Sequence, residues 1–125
     1  MVVDTNIFIE YLRAKNKQKT SLYLIHNISN LSISIITLYE LLIGSITPSK
    51  WNDVQLITED LDFLPMTKEI TIKSAQIYLK LRKENKIIEL QDIFIAATAI
   101  ENKLPLLTLN RKHFERIEGI ELIEL

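Results

Sequence analysis

Five short apolar runs, Met1–Val3, Leu31–Ile36, Asp62–Met66, Pro105–Leu109 and Ile120–Ile123, alternate along this chain with segments of helical period. The first run is very short, and the third is weakened by Pro65, which cannot donate to a sheet ladder. Between the runs, Val54, Ile57, Leu61 and Leu64 recur at helical steps, as do Ile70, Ser74, Ile77, Tyr78 and Leu81, a spacing that lines one face of a helix. Leu22, Ile25 and Ile28 mark a shorter helix, and Ile93 to Ile100 is apolar on nearly all sides, as a helix buried on a sheet is. Thr47 and Pro48 form an N-cap followed by a first-turn proline. Strands separated by helices pair in parallel through crossovers, which lays helices on both faces of the sheet. The expectation is an α/β fold over residues 1–125 as one domain, a three-layer sandwich with a mostly parallel central sheet flanked by helices. Ligands in such folds bind beyond the carboxyl ends of the strands.

Composition narrows the chemistry. With 125 residues, 47% hydrophobic and 25% charged, the chain has enough apolar surface for one core and little more. The absence of cysteine excludes disulfides, thiolate catalysis and cysteine zinc sites. The two histidines are far apart in the sequence, which leaves oxygen donors and hard cations as the plausible metal chemistry. No apolar stretch approaches the roughly 18 residues of a membrane span, and the first residues do not resemble a signal peptide. A cytoplasmic protein without membrane association is expected. Fifteen basic and 16 acidic side chains give a net charge of −1, so affinity for nucleic acid must come from local patches. Three basic segments are available: Arg13 with Lys15, Lys17 and Lys19; Lys80 with Arg82, Lys83 and Lys86; and Arg111 with Lys112 and Arg116. Each also reads as an ordinary solvated helix end.

Four polar residues stand alone in apolar company: Asp4, Glu40, Asp92 and Asn110. Each has a purely local explanation. Asp4 closes a strand before a helix and suits an N-cap, with Thr5 and Asn6 as turn residues. Thr37-Leu38-Tyr39-Glu40 matches a capping box, in which the glutamate bonds back to the threonine amide. Asp92 falls near a helix start, where the macrodipole favours a negative charge. Asn110, two residues after Thr108, suits the cap of a short helix, with His113 on the same turn, while His26 reads as a structural or surface histidine. Local explanations do not account for all four falling at element ends that a parallel sheet gathers along one edge. Carboxylates brought together there repel one another and raise one another's pKa values unless a cation intervenes. Mg²⁺ or Mn²⁺ suits such a set, because hard cations take carboxylate and phosphate oxygens and retain waters for hydrolysis.

At these residues the chain resembles the PIN-domain family of nucleases, and especially the VapC-like toxins of toxin–antitoxin pairs. The likeness runs through Val3-Asp4-Thr5-Asn6-Ile7-Phe8, Ser34 to Gly44 around Glu40, Asp92 to Ala99, and Leu106 to Phe114. It implies a PIN-like sandwich acting as a Mg²⁺- or Mn²⁺-dependent endoribonuclease. Asp4, Glu40 and Asp92 would hold the metal, Asn110 would be the fourth member of the site, and Thr5, Asn6, Thr37, Thr108 and His113 would support it. Many relatives carry a further aspartate in the last motif; Asn110 offers an oxygen but no charge, so a second metal should be weaker. Family likeness further implies a homodimer, an RNA substrate, and a small VapB-like antitoxin that inserts a basic side chain among the acids. Tyr11, Leu12, Tyr23, Ile43 and Ile46 are candidates for its apolar contact surface.

The competing expectation is a non-catalytic PIN-like interaction or regulatory module with a degenerate acidic site. A phosphoacceptor receiver is disfavoured because Asp4 lacks an adjacent acidic partner and no lysine follows Leu106–Leu109. A phosphatase with an aspartate nucleophile would need a second aspartate where Asn6 stands.

Overall fold

The computed structural model of the protein describes residues 1–28 and 30–125. Its strands are β1 (Val2–Val3), β2 (Ser32–Ser34), β3 (Asp62–Leu64) and β4 (Leu106–Leu107), paired in parallel in the order β3-β2-β1-β4. The register sets Val2 against both Ser32 and Leu106, and Ile33 against Phe63. Helices are α1 (Thr5–Arg13), α2 (Ser21–Ile25), α3 (Ile35–Ile43), α4 (Pro48–Thr58), α5 (Lys68–Lys83), α6 (Leu90–Glu101) and α7 (Arg111–Phe114), with a 3-10 turn at Lys17–Lys19.

The two-residue period of the strands divides the core. Val2 and Leu106 point to one face, where they pack with Ile70, Ile77 and Leu81 of α5 and Ile93, Ile95 and Ala96 of α6. Val3, Ile33 and Leu107 point to the other, against Ile7 and Phe8 of α1, Ile25 of α2, Leu41 of α3 and Val54 of α4. Val2, Val3 and Leu106 are fully buried. Two apolar layers around one sheet give the expected sandwich, and the sheet is parallel throughout.

Boundaries differ from the sequence reading in several places. The apolar run Leu31–Ile36 is a strand only to Ser34, because Ser34 caps α3 and Ile35 already begins the helix. The helical period beginning at Val54 extends only to Thr58; Leu61 lies in the turn and Leu64 in β3. Ile28 lies beyond α2 and is 70% exposed. The Ile120–Ile123 run forms a single bridge, Leu122 to Leu106, instead of a fifth strand. Of the proposed contact residues, Tyr11 and Leu12 pack on the core, whereas Tyr23, Ile43 and Ile46 are exposed. No helix among the described residues is long and apolar enough to cross a membrane.

Strand order marks where a ligand site is expected. From β1 the chain runs to β2 and β3 on one side and returns to β4 on the other, so the connections after β1 and β4 diverge. Such a reversal leaves a crevice at the carboxyl ends of those two strands.

Candidate active site

Asp4 follows β1 at that crevice and is 3% exposed. Its Oδ1 accepts from the Thr5 amide at 2.8 Å, so the capping role expected from sequence is real. Its Oδ2 accepts from the Thr108 hydroxyl, at the end of β4, at 2.7 Å. The Thr108 oxygen in turn accepts from the Asn110 amide at 2.9 Å and lies 3.4 Å from the Asn6 side-chain nitrogen. Asn6 also accepts from the Leu109 amide at 3.2 Å, which ties the turn after β1 to the turn after β4.

Glu40 is held differently from the capping box its sequence suggested. The Thr37 amide donates to Ser34 Oγ at 3.0 Å, leaving Glu40 without that local role. Instead Thr5 Oγ1 donates to Glu40 Oε1 at 2.8 Å, while Thr5 Oγ1 and Thr37 Oγ1 are 3.0 Å apart and Thr37 Oγ1 and Ser34 Oγ 3.3 Å apart. Each hydroxyl has one proton, so donation to the carboxylate orders the chain: Ser34 donates to Thr37, Thr37 to Thr5, and Thr5 to Glu40. Ser34 is the member that sequence reading missed; its signal was its place three residues before Thr37 at a strand end.

Asp92 lies in the first turn of α6, its side chain 15% exposed, with His113 Nδ1 3.5 Å from Oδ2. That nitrogen is buried and makes no hydrogen bond. Asn110 occupies the N-cap position of α7, but it is exposed and its side chain makes no capping bond. The structure thus links Asp4, Thr108, Asn6 and the Asn110 backbone in one network, and Thr5, Thr37 and Glu40 in another. Thr5 joins the two, since its amide holds Asp4 and its hydroxyl holds Glu40.

Electrostatics couple the acids. Burial pushes the Asp4 carboxyl up to about 6, against the lowering effect of its bonds from Thr108 and Thr5, and the charges of Asp92 and Glu40 add to the rise. Burial likewise raises Glu40, opposed by the Thr5 bond and reinforced by Asp92 and Glu89. Asp92 is raised by burial, lowered by His113 and raised again by Glu89. Glu89, at the N-cap position of α6 without a capping bond, is therefore a further charge on this site that sequence reading did not single out. Among the described residues no lysine or arginine pairs with Asp4, Glu40 or Asp92. Nor do any three acidic or histidine side chains among them sit close enough to grip one ion.

The fold is an all-parallel sandwich that gathers mutually repelling acids at its topological reversal. The chain belongs to the PIN domain family, which matches residues 1–120. It is 30% identical to Ribonuclease VapC1 of Methanocaldococcus jannaschii over 98% of this chain and 84% of that one. Identity to Ribonuclease VapC of Rickettsia bellii is 35%, over 98% of this chain and 94% of the relative. Among solved structures, VapBC-1 from nontypeable Haemophilus influenzae superposes with a TM-score of 0.85 at 26% identity, covering 98% of this chain and 96% of that chain.

Proposed function

We propose that this PIN-domain protein is a divalent-metal-dependent endoribonuclease and the toxin of a VapBC-like toxin–antitoxin pair, held as a homodimer in the cytoplasm. The observation that carries this reading is Asp4, a buried carboxyl raised to about 6 with two acidic neighbours and no cationic side chain among the described residues to neutralise it. A cation resolves that repulsion, and the donors are all oxygens, as Mg²⁺ and Mn²⁺ require. The VapC relatives, named as ribonucleases, support RNA as the substrate.

Asp4, Glu40 and Asp92 would hold the ion, with the Asn110 carbonyl as a neutral fourth donor. Glu40 and Asp92 are only partly buried, which keeps both carboxylates accessible to an ion from solution. When bound, the metal supplies an activated water and charge stabilisation for the departing oxygen. Thr108 and the Thr5 amide fix the Asp4 carboxylate, while the hydroxyl chain from Ser34 fixes Glu40. His113 beside Asp92 favours its ionised form. Attack by water leaves a 5′-phosphate and a 3′-hydroxyl and does not use the ribose 2′-hydroxyl. An antitoxin would inhibit by setting a basic side chain against the same acids.

Protein freed of antitoxin is expected to cut structured RNA with Mg²⁺ or Mn²⁺ and not with chelator. Asp4→Asn and Asp92→Asn are each expected to lower the rate by roughly 100-fold or more while circular dichroism stays native, since even outer-shell losses at metal sites cost up to about that much. Undiminished cutting by either variant, or cutting without metal, overturns the assignment.

A further inference from the structure

Glu40 borders a second feature, a cleft of about 320 Å³ whose walls include Ile9, Leu12 and Arg13 of α1, Leu41 of α3 and Lys50 of α4. We propose that this cleft holds the backbone of single-stranded RNA on one side of the bond being cut, with Arg13 and Lys50 as its phosphate contacts. The inference rests on the ribonuclease reading and assigns residues to substrate binding beyond the acidic site.

Continuity is the first argument. Glu40 is shared by the site and the cleft, so a strand with its scissile phosphate at the acids has this channel open beside it. Helix α1 sets the scale. Thr5 at its first residue touches both carboxylates and Arg13 is its last, about 12 Å away at about 1.5 Å per residue. A phosphate at Arg13 therefore lies a few nucleotides from the phosphate at Asp4.

Charge is the second argument. Among the described residues neither Arg13 nor Lys50 forms an ion pair or a side-chain hydrogen bond, although Asp53 lines the same cleft. Several other basic residues are already engaged. Lys17 donates to the Tyr11 carbonyl at 2.7 Å and caps α1, Lys80 pairs with Glu118, and Arg111 donates to the Ile123 carbonyl at 2.9 Å and pairs with Glu124. With a net charge of −1, phosphate affinity has to come from cations left free in this way. The floor from Ile9, Leu12 and Leu41 is apolar, which suits sugar and base faces between phosphates. An acidic segment of a protein partner would match the same cations, and loss of its binding is one outcome of the test.

The single tryptophan, Trp51, follows Lys50 in α4 and is 44% exposed, which gives a reporter independent of catalysis. Titrating metal-free protein with a short oligouridylate is expected to quench Trp51 saturably, with affinity falling as salt rises. Arg13→Gln combined with Lys50→Gln is expected to weaken binding about tenfold and to reduce the log–log salt slope by about 1.4, two contacts at about 0.7 each. Lys68→Gln combined with Lys73→Gln on α5 removes the same charge and is expected to change neither. In metal-dependent cleavage the first pair should raise KM with little change in kcat. Equal affinity and slope in the two double variants overturn the proposal. So does loss of antitoxin binding with RNA binding intact, which assigns the cleft to a protein. If wild type cuts RNA and the Arg13/Lys50 variant does so with unchanged KM, the subsite alone fails. If wild type neither binds nor cuts RNA, the ribonuclease reading fails and takes the subsite with it.

Discussion

Asp4 is where stability and activity oppose each other most directly. An unfolded chain releases this proton near 3.8 and the folded chain near 6, so the native state holds the proton more tightly. The stability contributed by that preference is fully present below about pH 3.8 and is lost as pH rises through about 6. Two units correspond to about 3 kcal/mol. Asp4→Asn keeps an oxygen for the Thr5 amide and removes the charge. It is expected to stabilise metal-free protein by about 1–3 kcal/mol at neutral pH and by little near pH 4, while lowering the cleavage rate. Urea unfolding at the two pH values measures this, and an equal effect at both would refute the electrostatic origin.

Elements translate local sequence into that geometry, and Ser34 shows how. Its hydroxyl ends β2, starts α3 and begins the proton-ordered chain to Glu40. Ser34→Ala is expected to cost about 1 kcal/mol through the lost cap and to lower cleavage by leaving Glu40 less well fixed. Thermal unfolding and kinetics on the same preparation separate the two effects. The candidate site was legible from sequence to the extent that lone carboxylates among Val, Leu and Ile are costly and therefore conspicuous. The bond from Thr5 to Glu40 was not legible, because it spans 35 residues and joins two helices whose packing no local pattern encodes. The capping-box reading of Glu40 failed for the same reason: Thr37 fits a cap by composition, but Ser34 sits closer to the strand end and takes its amide. Helices with one buried face, such as α5, were recoverable from period alone. The strands were placed but overextended, because a two- or three-residue strand has too few alternations to mark where burial passes from sheet to helix.

At the scale of the molecule, a divalent cation bound at the acids would link that cluster to global stability. Mn²⁺ at 100 times its dissociation constant is expected to add about 2.7 kcal/mol, seen as a rise of several degrees in Tm. Asn110→Asp is expected to enlarge that shift by tightening the ion, and a variant with an unchanged or smaller shift would remove residue 110 from the site. Calorimetry with and without chelator provides the measurement.

The pairing of β1 with β4 carries one further consequence. Asp4 and the hydroxyl that orients it, that of Thr108, stand 104 residues apart in the chain. Between them the ribosome must synthesise both apolar layers before β4 can slot beside β1. The contact that orients Asp4 is therefore a long-range one, closed only after the chain between the two strands has been made and packed.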